Sequence, residues 1–168
     1  MTAEPAPARG EHPSVAHFRA TLAALGGTGE IVVLPDSVHT AALAAEALGC
    51  EVGAIANSLL FAAPGPDGDE PVLILTSGAH RVDVDKVAAA IGVSTLRRAK
   101  PEFVKEHTGQ VIGGVSPVAH PVPVRTYLDR DLAAYDVLWA AAGHPAAVFS
   151  SNYPELLALT GAIEIEVA

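Results

Sequence analysis

The chain has one cysteine, Cys50, in 168 residues. No intramolecular disulfide can form, which fits a reducing cytoplasm. Cys50 opens an apolar run, where a buried structural thiol is the commoner occupant, so a thiol nucleophile is not expected. Aromatic residues are scarce at 5%, while half of all residues are hydrophobic, so the core must be built from Ala, Val and Leu. No apolar run approaches the ~20 residues that cross a bilayer, so no membrane partner is expected. The start, MTAEPAPARGEHP, lacks a basic segment followed by an apolar one. It is not a secretory signal and is expected to form a loose tail over residues 1–12. Positive charge is also short: 10 Lys and Arg stand against 19 Asp and Glu, for a net charge of −9. Nucleic-acid binders draw much of their affinity from neutralising phosphates. The balance argues against DNA and against tight non-specific RNA binding, but leaves room for a local basic strip at Lys86, Arg97, Arg98, Lys100 and Lys105.

Familiar chemical signatures are missing too. The seven histidines are scattered, with no HExxH and no Cys/His cluster, so neither a metal nor another cofactor is expected. There is no GxxxxGK[ST] phosphate loop, no GxGxxG after a strand and no GxSxG nucleophile elbow.

What is present is a short-period mixture of helices and strands. PSVAHFRATLAALGG places Val15, Phe18, Leu22 and Leu25 at helical spacing and stops at Gly26 and Gly27. EIVVLP reads as a strand. DSVHTAALAAEALG reads as a helix capped by Asp36 or Ser37 and ended by Gly49. CEVGAIANSLLFAA and PVLILTSG read as strands of a hairpin across the turn PGPDGDEP. RVDVDKVAAAIG is a helix capped by Asp83, STLRRA a short extended piece, and KPEFVKEHTG a helix opened by Pro101. QVIGGVSPVAHPVPVRTYLD is the longest irregular stretch, followed by a short helix in DRDLAAYD. VLWAAAG and PAAVFS pair around Gly143, SNYPELLALTG is a helix, and AIEIEVA a last strand. Strands outnumber helices and neighbours pair as hairpins. The expected fold is a single α+β domain over residues 13–168, with a bent, mixed and largely antiparallel sheet flanked by helices.

Two stretches carry candidate chemistry. In TGQVIGGVSPVAHP, Gly109, Gly113 and Gly114 permit backbone angles closed to other residues, and Pro117 fixes the exit. Such a loop can turn several N–H groups toward one point, suiting a carbonyl oxygen or its developing oxyanion. It can equally be a tight connection whose glycines only relieve sterics. In EVGAIANSLLF, Asn57 and Ser58 interrupt a buried strand. Either they line a pocket on that face, or they satisfy backbone groups at a bulge.

These stretches resemble the YbaK/ProX family of aminoacyl-tRNA deacylases, which are similar to the editing domain inserted in bacterial prolyl-tRNA synthetases. The family's GxxxP loop is matched by GGVSP, residues 113–117. Ala99, Glu102, Val104, Thr108, Gly109, Gly113, Gly114 and Pro117 follow its signature in order. HTAALAAEALGCEVGAIANSLLF, VLILTSGAHRVDVDKVAAAIG, YLDRDLAAYDVLWAAAG and YPELLALTGA match its other segments, so the resemblance covers about residues 36–168. It implies a mixed fold around a bent sheet, and metal-free hydrolysis of the ester joining a wrong amino acid to tRNA. Gly113, Gly114, Val115, Ser116 and Pro117 would form the oxyanion site, water would attack, and Asn57 and Ser58 would orient substrate and water. Implied partners are a mischarged tRNA and, in addition, an aminoacyl-tRNA synthetase.

One position departs from the family. The residue before Ser58 is usually lysine and here is Asn57, which can exchange hydrogen bonds but carries no charge. Two readings follow: an editing enzyme that positions with an amide, or an inactive module that binds tRNA, a synthetase or a small amino-acid-like ligand. Further substrate-binding candidates are His144 at a turn, Asp129, which either orients the pocket or caps the next helix, and His80 with Arg81 at a turn or the tRNA edge.

Overall fold

The structure, a computed structural model, describes residues 11–35, 37, 38 and 40–168. Most of the expected tail and the expected cap Asp36 therefore lie outside the described residues. The sheet is organised by one hairpin. β2 (Ile55–Gly65) and β3 (Gly68–Ser77) pair antiparallel from Gly65↔Gly68 to Ala56↔Ser77. The breaker-rich stretch PGPDGDEP is mostly strand: only Pro66 and Asp67 lie between β2 and β3, and Gly68 takes φ +113° beside the turn. Leu73, Ile74 and Leu75 are fully buried, as a run of apolar residues covered on both faces requires.

Around this hairpin lie β1 (Ile31–Val33), β4 (Arg97–Arg98), β5 (Arg125–Asp129), β6 (Leu138–His144), β7 (Ala147–Ser151) and β8 (Ile163–Ile165), in the order β1-β7-β6-β2-β3-β5-β8 with β4 on β2. β1–β7, β6–β7, β2–β3 and β2–β4 are antiparallel; β2–β6, β3–β5 and β5–β8 are parallel. The fold is thus α+β with a mixed sheet, as expected. One strand was not anticipated. β5 closes the stretch expected to be irregular, and it is held there by parallel neighbours on both sides.

Among the described residues, five α-helices cover the two faces. α1 (Pro13–Ala24) buries Val15, Phe18 and Leu22, with Phe18 against Phe149 at 4.7 Å between ring centroids. Leu25, expected to join them, is half exposed as the C-cap. α2 (Ala41–Leu48) starts later than expected: Thr40 is its cap, its Oγ1 accepting the Leu43 N–H at 3.1 Å. α3 (Val84–Ile91) begins at the predicted cap Asp83, which accepts the Lys86 N–H at 3.1 Å. α4 (Pro101–Thr108) opens on Pro101, and α5 (Tyr153–Thr160) is capped by Asn152. One core cluster gathers Phe18, Leu60, Leu73, Leu75, Val104, Leu128, Phe149 and Leu156 from α1, α4, α5 and one sheet face. On the other face Val87 of α3 meets Phe61, Val72 and Ile74, while Ala44 and Ala45 of α2 meet Ile55 and Val148.

Candidate functional site

A gap in the sheet makes the site. β6 engages β2 only at Ile55 and Ala56, and β4 engages it only at Phe61 and Ala62. Between them, the Ala99 N–H donates to the Leu60 carbonyl at 3.1 Å. Backbone groups in a strand alternate between its two neighbours. Leu60 faces the β4 side, so Ser58 two residues earlier turns its N–H and C=O to that same open edge. A cavity of about 410 Å³ occupies the gap.

Asn57 and Ser58 both line this cavity, but not from one face, as the sequence reading had it. Successive side chains on a strand point to opposite faces. Ser58 shares its face with Ala56 and Leu60; Asn57 shares the other with Ile55, Leu59 and Phe61. Both reach the cavity because the edge between the faces is open. The Ser58 hydroxyl is buried without a hydrogen-bond partner among the described residues, and so is Thr76 Oγ1, on the strand position opposite Asn57. An unmade bond at a buried hydroxyl costs about 1–3 kcal/mol; of the two, only Ser58 is on the cavity wall, where a ligand or water can reach it.

The opposite wall comes from the loop after α4. Gly109 ends the helix at φ +72°, and the chain turns at Gly113, φ +86°, where the Gly114 N–H donates to the Val111 carbonyl at 2.9 Å. Gly114 fits against the β6–β7 turn: a Cβ there would lie 2.7 Å from both the His144 carbonyl carbon and Pro145 N. Ile112, Gly113 and Val115 line the cavity. The N–H groups of Gly113 and Val115 have no protein partner among the described residues. Ser116 is different. Its N–H donates to Gln110 Oε1 at 2.8 Å, its Oγ accepts from Gln110 Nε2 at 2.8 Å, and its hydroxyl donates to the Val118 carbonyl. Ser116 is wholly buried and its donors are consumed inside the loop, so they do not face the cavity; neither Ser116 nor Pro117 is on the cavity wall.

His120 completes the brace. Its Nε2 sits 2.8 Å from the Ser116 carbonyl. Burial lowers its pKa below the usual histidine value, and the carbonyl bond only partly opposes this, so the neutral ring donates Nε2–H. Ala119, at φ +73°, turns the chain so that His120 can return to the loop. Sequence reasoning missed Gln110 and His120. Neither sits in an apolar period, and their partner is another residue of the same irregular stretch.

The remaining candidates lie elsewhere. His144 is not on the cavity wall: its Nδ1 accepts the Ala146 N–H at 3.0 Å, and its ring packs on His12 at 4.5 Å. Asp129 is buried; one oxygen accepts the Ser77 N–H at 3.0 Å and meets His80 Nδ1 at 2.7 Å, while the other caps the next turn at the Asp131 N–H, 3.0 Å away. Asp129 and His80 thus tie the end of β3 to the end of β5, and neither reaches the cavity, nor does the exposed Arg81. His80, Asp129 and Asp131 offer ligand atoms within 4.8 Å of one another, but both ring nitrogens already lie on these carboxylates. Cys50 is off the cavity wall as well, and burial raises its thiol pKa.

The cavity is therefore an apolar bowl with few polar groups. Leu34, Ile55, Trp139 and Val148 give it bulk, Asn57 and Ser58 give it hydrogen-bonding side chains, and Arg98 is the one charged residue on its wall among the described residues.

Comparison with known proteins bears on what fills it. A profile of the aminoacyl-tRNA editing domain matches residues 35–159. The uncharacterised protein YwhH of Bacillus subtilis (strain 168) is 32% identical over 114 residues, 68% of this chain and 70% of its own. Proline–tRNA ligase of Stenotrophomonas maltophilia (strain K279a) is 32% identical over 87 residues, which are 52% of this chain but only 15% of the ligase. A solved structure, described as a proposed trans-editing enzyme for prolyl-tRNA synthetase, superposes with a TM-score of 0.85 at 44% identity, covering 94% of this chain and 98% of that one.

Proposed function

The chain belongs to the aminoacyl-tRNA editing-domain family, and from that premise we propose that it is a trans-acting deacylase that hydrolyses the ester of a mischarged tRNA. The observation that carries the reading is the meeting, on one cavity, of the GGVSP loop with Asn57 and Ser58. The ester carbonyl sits against the loop, where the free N–H groups of Gly113 and Val115 receive the oxygen as it becomes an oxyanion. Water adds to the carbonyl carbon. The bond to the ribose oxygen breaks, and the ribose leaves with a proton. Ser58 and Asn57 hold the substrate's polar groups and the water. The apolar bowl accepts a small side chain and discriminates by size, at about 1–3 kcal/mol per methylene.

One observation favours the second reading, a binding module without chemistry. Among the described residues, no histidine and no carboxylate lines the cavity. In the deacylase reading, proton transfer then falls to water and to the neighbouring ribose hydroxyl. The deciding experiment is time-resolved deacylation of tRNAs carrying Ala, Cys, Ser or Thr, by the wild type and by Asn57→Lys, against a protein-free control. Hydrolysis by the wild type supports the enzyme. Activity in Asn57→Lys alone sinks it and leaves the binding module.

A further inference from the structure

Among the described residues the cavity wall carries one charge, in a protein whose net charge is −9, and that charge is positive. Most cations in the described residues are occupied. Arg19 pairs with Glu11, Arg97 with Asp69, and Arg130 with Glu166, while Lys86 meets both Glu166 and the terminal residue. Lys105 donates to the Gly109 carbonyl, and Arg125 to the Ile91 carbonyl. Arg98 has no carboxylate or carbonyl partner among the described residues. Its partner among them is the Phe61 ring, with Cζ 5.8 Å from the centroid. Arg98 lies opposite Phe61 in the β2–β4 ladder, and directly opposed residues share a face. Phe61 in turn shares its face with Asn57, four residues along β2. The exposed guanidinium is therefore held by an aromatic ring at the rim of the gap, on the Asn57 side, with no described residue bonded to its donors.

The geometry points to Arg98 as the positioning residue for the phosphodiester of the terminal nucleotide of the RNA, with the nucleoside entering the cavity beside it. This rests on the proposed function and adds how the 3′ end is held. A planar guanidinium with unused donors suits a phosphate oxygen pair. A ring partner restrains the stem without neutralising the charge. The overall acidity then sets a division of labour: the body of the protein repels the RNA backbone, and attraction is focused at the cavity rim. Arg97, on the opposite face of the same strand and bound to Asp69 at 2.6 Å, has no such role.

Two measurements on the full chain test this. The first compares an aminoacyl-tRNA with the same amino acid esterified to adenosine, which has no phosphate. Arg98→Ala should raise KM for the tRNA about tenfold at unchanged kcat, leave the adenosine ester within twofold, and be largely rescued by Arg98→Lys. Arg97→Ala should change neither. A fall in kcat, or equal losses on both substrates, overturns the assignment. The second does not depend on hydrolysis. The single tryptophan, Trp139, lines the cavity, so its fluorescence reports binding of AMP against adenosine. The wild type should prefer AMP about tenfold, with a preference that weakens as salt rises, and Arg98→Ala should lose it. If no ester is hydrolysed but the AMP preference depends on Arg98, the deacylase reading fails and the anion site stands. If wild type and Arg98→Ala bind AMP and adenosine alike, the anion site fails whatever the hydrolysis shows.

Discussion

Gln110 is expected to be the residue on which the shape of the loop most depends. It is 4% exposed and its amide spans the loop to Ser116, which is wholly buried. Gln110→Ala removes the acceptor of the Ser116 N–H and the donor to Ser116 Oγ, both at 2.8 Å. The Ser116 hydroxyl keeps the Val118 carbonyl for its own proton, so the group left stranded is the N–H. A stranded buried donor costs about 1–3 kcal/mol, and the void left by the side chain raises the total to about 2–4 kcal/mol. Urea unfolding followed by far-ultraviolet circular dichroism measures this directly. With a slope of ~2 kcal/mol/M, the midpoint should fall by about 1–2 M at unchanged slope. Ser116→Ala should cost less, because it leaves the backbone N–H bonded and strands Gln110 Nε2 and the part-buried Val118 carbonyl instead, and the double variant should fall short of the sum, since the two share one bond. A loss below about 0.5 kcal/mol for Gln110→Ala, or strict additivity with Ser116→Ala, would refute the clamp.

Gly114→Ala should cost about 1–3 kcal/mol and displace the loop, because its Cβ meets backbone of the β6–β7 turn at 2.7 Å. Gly113→Ala has open space and should lose only about 1–2 kcal/mol to its φ of +86°; urea midpoints of the two variants, and their affinities for AMP, check the contrast. His120 is held below its usual pKa by burial, so the unfolded chain takes up its proton first. Its contribution to stability is present above the unfolded value of about 6.5 and is lost as pH falls from there toward the lower folded value. The wild type should therefore lose more melting temperature than His120→Gln between pH 7.5 and 5. Ser58→Ala removes an unpartnered buried hydroxyl, so thermal melting should show stability unchanged or raised by up to about 1 kcal/mol, while ligand affinity falls.

The parts of the fold that were legible were those fixed by local chemistry. Asp83 with Gly92, and Pro101 with Gly109, bound their helices as the sequence suggests, because caps and left-handed stops act within one turn. β5 was hidden because only Tyr127 and Leu128 carry apolar weight in it. It is a strand because β3 and β8 flank it, which is tertiary information. Asn57 and Ser58 were found as unexplained polar residues, yet the period of two already places them on opposite faces; what the sequence could not show was the open edge that lets both matter. His144 and Asp129 were chosen by resemblance, and in this structure each is occupied with its own neighbours.

The break in the β2 ladder has a mechanical meaning as well. β1, β7 and β6 reach the rest of the sheet only through Ile55↔Trp139 and Ala56↔Ala140. The sheet is two panels joined by a two-residue hinge, with the cavity as the wedge between them. Slight twisting of one panel against the other changes the width of the opening, while hydrogen bonds elsewhere in the sheet stay intact. A molecule that bonds to the free edge at Ser58 acts as a piece of missing strand and braces both panels. Occupancy should then slow amide exchange far from the ligand, in β7 and β1, as well as at the residues it touches.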